Sequence, residues 1–123
     1  MKRRYSVVLF VDHQGNNPIL EYLLDQKNEK DLSVLINVIQ RLAFVGQDLL
    51  DTNMAKPIEG PLFELRKDRH RIFYAKFGPR FVLFSAFLKN TQKTPPREIQ
   101  IAMNYYQEYT ETGNCQEFNF PSL

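Results

Sequence analysis

The spacing of apolar residues changes rhythm along the chain, and each change marks an element. Residues 4–11 are a short run rich in β-branched and aromatic side chains, which predicts a first strand. Asp12-His13-Gln14-Gly15-Asn16 reads as a turn. Asn17-Pro18 then has the form of a helix cap followed by proline at the first helical position. Leu20, Leu23 and Leu24 give that helix one apolar face, and it should end near Lys27 or Asn28. A second helix is expected from a cap at Asp31, because Leu32, Leu35, Ile36, Ile39, Leu42 and Ala43 recur at helical spacing. Gly46 stands where a C-terminal cap would. Two helices joined by a few residues form an antiparallel hairpin, and their apolar stripes need a sheet to cover.

Residues 47–60 contain Pro57 and Gly60 and read as an irregular connection. Three strand-like runs follow: Leu62–Lys67, residues 71–77 and residues 80–89. Asp68-Arg69-His70 separates the first two and Gly78-Pro79 the second pair, so the three should form a meander. Residues 84–88 are apolar at both parities, as in a central strand. Thr94-Pro95 opens a last helix lined by Ile99, Ala102, Met103 and Tyr106, which should fray past Tyr109. The predicted class is α+β: an antiparallel meander sheet packed on an N-terminal helical hairpin, in the order β-α-α-β-β-β-α. Residues 1–110 should form one domain, with a loose tail over 111–123.

With 123 residues, 43% of them hydrophobic, the chain has room for one core. Cys115 stands alone, so no internal disulfide forms, which fits a reducing compartment. No apolar run approaches the roughly 18 residues of a membrane span. The basic start Met1-Lys2-Arg3-Arg4 precedes an apolar stretch too short for a signal peptide. The expected location is therefore the cytoplasm, with no membrane partner. Phosphate-binding glycine loops and the G-x-S-x-G elbow are absent. His13, His70 and Cys115 lack the clustered spacing of a zinc site, so neither metal nor cofactor is expected.

Charge alters the picture more than composition does. The net charge is only +2, but residues 60–100 hold nine Lys or Arg against Glu64, Asp68 and Glu98. The remaining 82 residues carry seven basic and eleven acidic groups. A cationic strip of this kind attracts a polyanion, although a solvated basic face has the same composition.

Within the strip, Arg66 and Arg71 matter most. If residues 67–70 form the hairpin loop, the two arginines lie directly opposite each other and project from one face. Like charges so placed destabilise a sheet, and two planar donor forks could clamp one phosphodiester. Alternatively each pairs with Glu64 or Asp68, and a loop one residue shorter would send them to opposite faces. Lys89-Asn90-Thr91-Gln92-Lys93-Thr94-Pro95 joins a buried strand to a helix, where anion sites form. Lys89 and Lys93, with the hydroxyl and amide donors there, could reach the same phosphate. His70 can titrate near neutrality, although a solvated turn histidine is the more common case. Lys67, Arg69, Thr91, Gln92 and Arg97 complete the RNA-binding candidates, with Lys67 on the face away from the arginine pair. Tyr105, Tyr106 and Tyr109 could stack bases, but their helical spacing suits core or rim.

These pieces together resemble the HigB branch of the RelE superfamily. The resemblance rests on Leu62-Phe63-Glu64-Leu65-Arg66 with Arg71-Ile72-Phe73-Tyr74, on Phe87-Leu88-Lys89-Asn90-Thr91-Gln92-Lys93-Thr94-Pro95, and on Arg97-Glu98-Ile99 with Ala102. Gly15-Asn16-Asn17-Pro18 and the following leucine-rich helix add to it. It departs at Asn90, where the branch commonly has a second lysine. The resemblance implies a microbial-ribonuclease-like sheet, metal-independent cleavage of mRNA in the ribosomal A site, and neutralisation by a helix-turn-helix antitoxin in a hetero-oligomer. It places Arg66 and Arg71 at the scissile phosphate and Lys89 and Lys93 in the basic loop, where either lysine could serve as base or acid, with His70 the second choice. The alternatives are a module that binds RNA or ribosome without cutting, and a protein-interaction domain.

Overall fold

A computed structural model of the protein describes residues 4–119. Strand β1 (Ser6–Phe10) leads into helices α1 (Pro18–Leu24) and α2 (Glu29–Val45) and a 3₁₀ turn, Gly46–Asp51. Strands β2 (Ala55–Glu59), β3 (Leu62–Lys67), β4 (His70–Phe77) and β5 (Arg80–Leu88) follow, then helix α3 (Pro96–Thr112) and strand β6 (Cys115–Glu117). All six strands join one sheet, in the order β2-β3-β4-β5-β1-β6. The α+β class and the meander of β3 to β5 agree with the sequence pattern. The rest of the strand order does not.

Three differences have physical causes. First, β1 pairs with β5 in parallel, Val7 opposite Phe81 and Leu9 opposite Leu83, so the sheet is mixed. The long stretch of chain between the two strands, through α1, α2 and strands β2 to β4, makes a parallel neighbour possible. Second, the stretch expected to be irregular contains β2, an edge strand that carries Pro57. Proline is tolerated there because an edge strand leaves one side of its ladder unpaired. Third, the tail expected to be loose from residue 111 is ordered as far as β6, which pairs antiparallel with β1. Phe118 N–H donates to the Val7 carbonyl at 3.0 Å. Residues 120–123 of that tail lie outside the described residues.

Helix boundaries moved for local reasons. Asn17 caps α1 as expected, its side chain accepting from Leu20 N–H at 3.0 Å. The helix stops at Leu24 because Asn28 is extended and caps α2, accepting from Asp31 N–H at 2.9 Å. Asp31 thus sits in the first turn of α2, where a negative charge suits the helix dipole. Helix α3 runs three residues beyond Tyr109, to Thr112, and Gly113, with φ of 69°, closes it.

The sheet is covered on both sides. Strand alternation sends Val7, Leu9, Leu65, Ile72, Tyr74, Phe81 and Leu83 toward α1 and α2. It sends Val8, Phe10, Leu62, Phe73, Ala75, Val82 and Phe84 toward Ala102 and Tyr109 of α3. Contrary to the sequence expectation, Glu29–Asp51 is long and apolar enough to cross a membrane by length and composition. Its buried stripe of Leu35, Val38, Ile39, Leu42 and Ala43 is used against the sheet instead.

A bulge interrupts the β4–β5 ladder. Phe73 faces Ser85 and Tyr74 faces Leu83, leaving Phe84 unmatched. Before it, the odd-numbered residues Phe81 and Leu83 face the helical hairpin. After it, Phe87 packs on the α3 side, opposite Arg71.

Candidate nucleic-acid interface

The hairpin between β3 and β4 is built on a two-residue turn, Asp68-Arg69. Lys67 pairs with His70 and Arg66 with Arg71 across it. Asp68 takes a φ of 53°, the left-handed conformation that such turns give to Gly, Asn or Asp. Because Phe73 faces α3 and Ile72 faces the helical hairpin, alternation puts Arg71, Arg66 and Glu64 on the α3 side. Lys67 and His70 fall on the other. The two arginines therefore stand side by side on one face.

Arg71 is held rigidly. Its Nη1 donates to the carbonyls of Asp68 and His70, both at 2.8 Å. Burial, reinforced by the like charge of Arg66, lowers its pKa, and Glu64 acts against both. Arg66 is looser, with a third of its side chain exposed. Between them lies Glu64, only 1% exposed. Its Oε1 is 3.7 Å from Arg66 Nε and 3.6 Å from Arg71 Nε. Both separations are too long for hydrogen bonds, and the buried Arg71 Nε has no hydrogen-bond partner among the described residues. Beside the pair, Asn53, Met54, Arg66, Lys67, Asp68 and Arg71 line an open cavity of about 420 Å³. The arginines thus share an acidic neighbour and still border open space.

The strand-to-helix loop approaches the same face. Continued alternation puts Lys89 beside Arg71. Partial burial and the charges of Arg71, Arg66 and Lys56 lower its pKa, and Glu64 opposes them. Arg69 anchors the loop: its Nε donates to the Lys89 carbonyl at 3.2 Å, and its carbonyl accepts from Lys89 N–H at 2.7 Å. Its guanidinium also donates to Asn90 Oδ1. A lysine at 90, common in the resembling branch, could not accept that bond. Thr91, Gln92, Lys93 and Arg97 are exposed, and Thr91 donates to the Lys93 carbonyl at 2.7 Å.

Other candidates fall elsewhere. His70 is buried rather than solvated, on the helical-hairpin side, and shares a 2.7 Å hydrogen bond with the Tyr22 hydroxyl. The structure does not bring it to the arginine pair. Tyr22→Phe is expected to cost about 1 kcal/mol by stranding the imidazole, read by urea denaturation, without lowering affinity for RNA. Lys67 borders a second cavity with Val34, Asn37, Val38 and Arg41 of α2. Tyr105, Tyr106 and Tyr109 pack on Phe10, Phe77 and Phe84 and belong to the core and its rim. Among the described residues no three His, Cys, Asp or Glu side chains gather as a metal-binding group.

Glu64 entered the sequence reading only as an ion-pair partner, yet it lies at the centre of the cluster. Its position two residues before Arg66 on one strand was the available signal, because a period of two puts both on one face.

Fold and site together define a small α+β protein with paired arginines and a lysine loop over one sheet face. Residues 23–107 match the family described as "Phage derived protein Gp49-like (DUF891)". The chain belongs to this phage-derived Gp49-like family and is HigB-like. It is 32% identical over 91 residues to a Mycobacterium tuberculosis protein named "Probable endoribonuclease HigB1", in strains CDC 1551 / Oshkosh and ATCC 25618 / H37Rv. The match covers 71% of this chain and 70% of that protein. This homology suggests a ribonuclease of a toxin–antitoxin system.

Proposed function

We propose that the protein is the toxin of a type II toxin–antitoxin pair, a metal-independent endoribonuclease that cuts mRNA in the A site of the ribosome. The observation that carries this reading is the Arg66–Arg71 pair, directly opposed on one face with Lys89 beside it. Like charges facing each other cost stability in a sheet; Glu64 offsets part of that cost, and an anionic ligand offsets more of it.

In the reaction, the ribose 2′-oxygen bonds to the adjacent phosphorus and the bond to the 5′-oxygen breaks. The products are a 2′,3′-cyclic phosphate and a 5′-hydroxyl end. Arg66 and Arg71 stabilise charge developing on the phosphoryl oxygens, Arg66 from its exposed position and Arg71 from its fixed one. Lys89 protonates the leaving 5′-oxygen, the 2′ proton passes to solvent, and Lys93 adds positive charge from the exposed loop. The ribosome supplies part of the alignment. Thr91, Gln92, Arg97 and Arg69 border the path of the strand. A helix-turn-helix antitoxin covers the site in a cytoplasmic hetero-oligomer.

The lowered pKa of Lys89 has a testable sign. An acid must be protonated, so the single-turnover rate is expected to fall as pH rises through a value below the ordinary lysine pKa of 10.5. Lys89→Arg should remove that limb. A rate that rises over the same range would make Lys89 the base instead.

The decisive experiment is induction in cells, with 5′ ends of messages mapped within minutes. New ends inside coding regions are expected, and purified protein stripped of bound metal by chelator beforehand should give the same cuts on programmed ribosomes. Unchanged message ends from folded protein would replace this reading with RNA or ribosome binding without cleavage.

A further inference from the structure

We infer that Thr94 and Glu64 form a latch that sets the lysine loop over the arginine pair, both acting as positioning residues. The inference rests on the ribonuclease reading.

Sequence pattern assigns Thr94 to capping the last helix. In the structure α3 begins with Pro95 at the cap position and has no side-chain cap. The Thr94 hydroxyl instead donates to Glu64 Oε2 at 2.7 Å, across 30 residues of chain. Glu64 divides its two oxygens: Oε1 faces the Nε atoms of both arginines, and Oε2 holds Thr94.

The loop is therefore fastened at both ends. Arg69 holds it at Lys89 through hydrogen bonds in both directions. Glu64 holds it at Thr94. Asn90, Thr91, Gln92 and Lys93 lie exposed between these anchors. The same carboxylate keeps the Nε edges of Arg66 and Arg71 turned inward, at distances that steer the guanidiniums without forming hydrogen bonds to them. At 1% exposure Glu64 does not itself touch RNA. Its effect on chemistry passes through the groups it orients.

The test uses the full chain and three readouts: single-turnover cleavage of ribosome-bound message, amide hydrogen exchange, and melting temperature. Thr94→Val keeps the shape and removes the donor; Thr94→Ser restores it. Thr94→Val is expected to lower the rate at least tenfold while the half-saturating ribosome concentration stays within threefold. Thr94→Ser should recover the rate to within threefold. The Lys89 amide, bonded to the Arg69 carbonyl, and the Glu98 and Ile99 amides, bonded to the Pro95 carbonyl, should exchange at least tenfold faster in Thr94→Val, and those of β4 should not. Combining Thr94→Val with Glu64→Ala should lower the rate no further than the worse single change, because both break one link. An unchanged rate or unchanged exchange in Thr94→Val, or multiplying losses in the double variant, overturns the latch. Wild-type protein that leaves message uncut overturns the ribonuclease reading instead, and hydrogen exchange then still decides whether the latch exists.

Discussion

Arg71→Lys is expected to lower single-turnover cleavage about 100- to 1,000-fold, the usual loss when a preorganised donor to a developing oxyanion is removed. The charge survives the change but the planar fork does not. Arg71 also satisfies the carbonyls of Asp68 and His70. Their loss should cost about 1–3 kcal/mol of stability, so rates must be compared well below the variant's melting temperature. Arg71→Ala is the harsher change. It removes one of the two guanidiniums beside the buried Glu64, and breaking such a group typically costs about 3–5 kcal/mol. The control is Lys67→Ala, one residue from Arg66, which shares the rim of the cavity beside the pair but which alternation sends to the opposite face. Its rate should stay within about twofold of wild type, as for surface changes that touch no such group. Equal losses from Arg71→Lys and Lys67→Ala would mean that RNA does not approach from the α3 side.

The second large effect is on stability and lies far from the arginines. Gly46 ends α2 with φ of 71° and ψ of −147°, a region essentially reserved for glycine. A Cβ there would stand 2.4 Å from Tyr5 Cε2. The Tyr5 ring has little freedom to retreat, being packed edge-on against Phe81 at 5.2 Å, and Tyr5 N–H donates to the Ala43 carbonyl. Gly46→Ala is therefore expected to cost roughly 3 kcal/mol from backbone strain alone, and more from the clash. Urea denaturation with an unchanged slope would measure it. Gly60→Ala is the comparison: its φ is also positive, but nothing lies within 4 Å of the added Cβ. A loss at Gly46 no larger than at Gly60 would show that Tyr5 yields easily.

These cases show which parts of the molecule are written locally. The caps at Asn17 and Gly46, the meander of β3 to β5 and the opposition of Arg66 and Arg71 all follow from short-range chemistry: cap residues, turn length and period-two alternation. β2 and β6 do not. β2 has the burial pattern of an edge, mostly exposed, and carries a proline. β6 is three residues long and gains its partner only because β1 is already in place. The parallel pairing of β1 with β5 is likewise a long-range outcome that no local pattern announces.

The site divides the same way. The arginine pair and the lysine loop were legible because they are neighbours on consecutive strands or in one continuous stretch. Glu64 was visible as a residue but not as the centre of the cluster, since its second contact, Thr94, arrives from beyond β5. Thr94 looked like a helix cap because Thr-Pro usually is one. Nothing near His70 in sequence marks Tyr22 as its partner, 48 residues away, and an isolated turn histidine is solvated more often than not.

The unmatched Phe84 makes the chemistry of this fold sensitive to counting. Upstream of it, odd-numbered side chains of β5 look toward the helical hairpin; downstream, they look toward the arginines. Straightening the strand with Phe84 kept in the ladder would shift every later residue by one position and carry Lys89 to the His70 side, whereas deleting Phe84 would leave every pair as it is, with Lys89 beside Arg71. A relative that lacks this one residue and pairs β4 with β5 without a bulge would therefore present the motif to the same side of the sheet, toward the arginines.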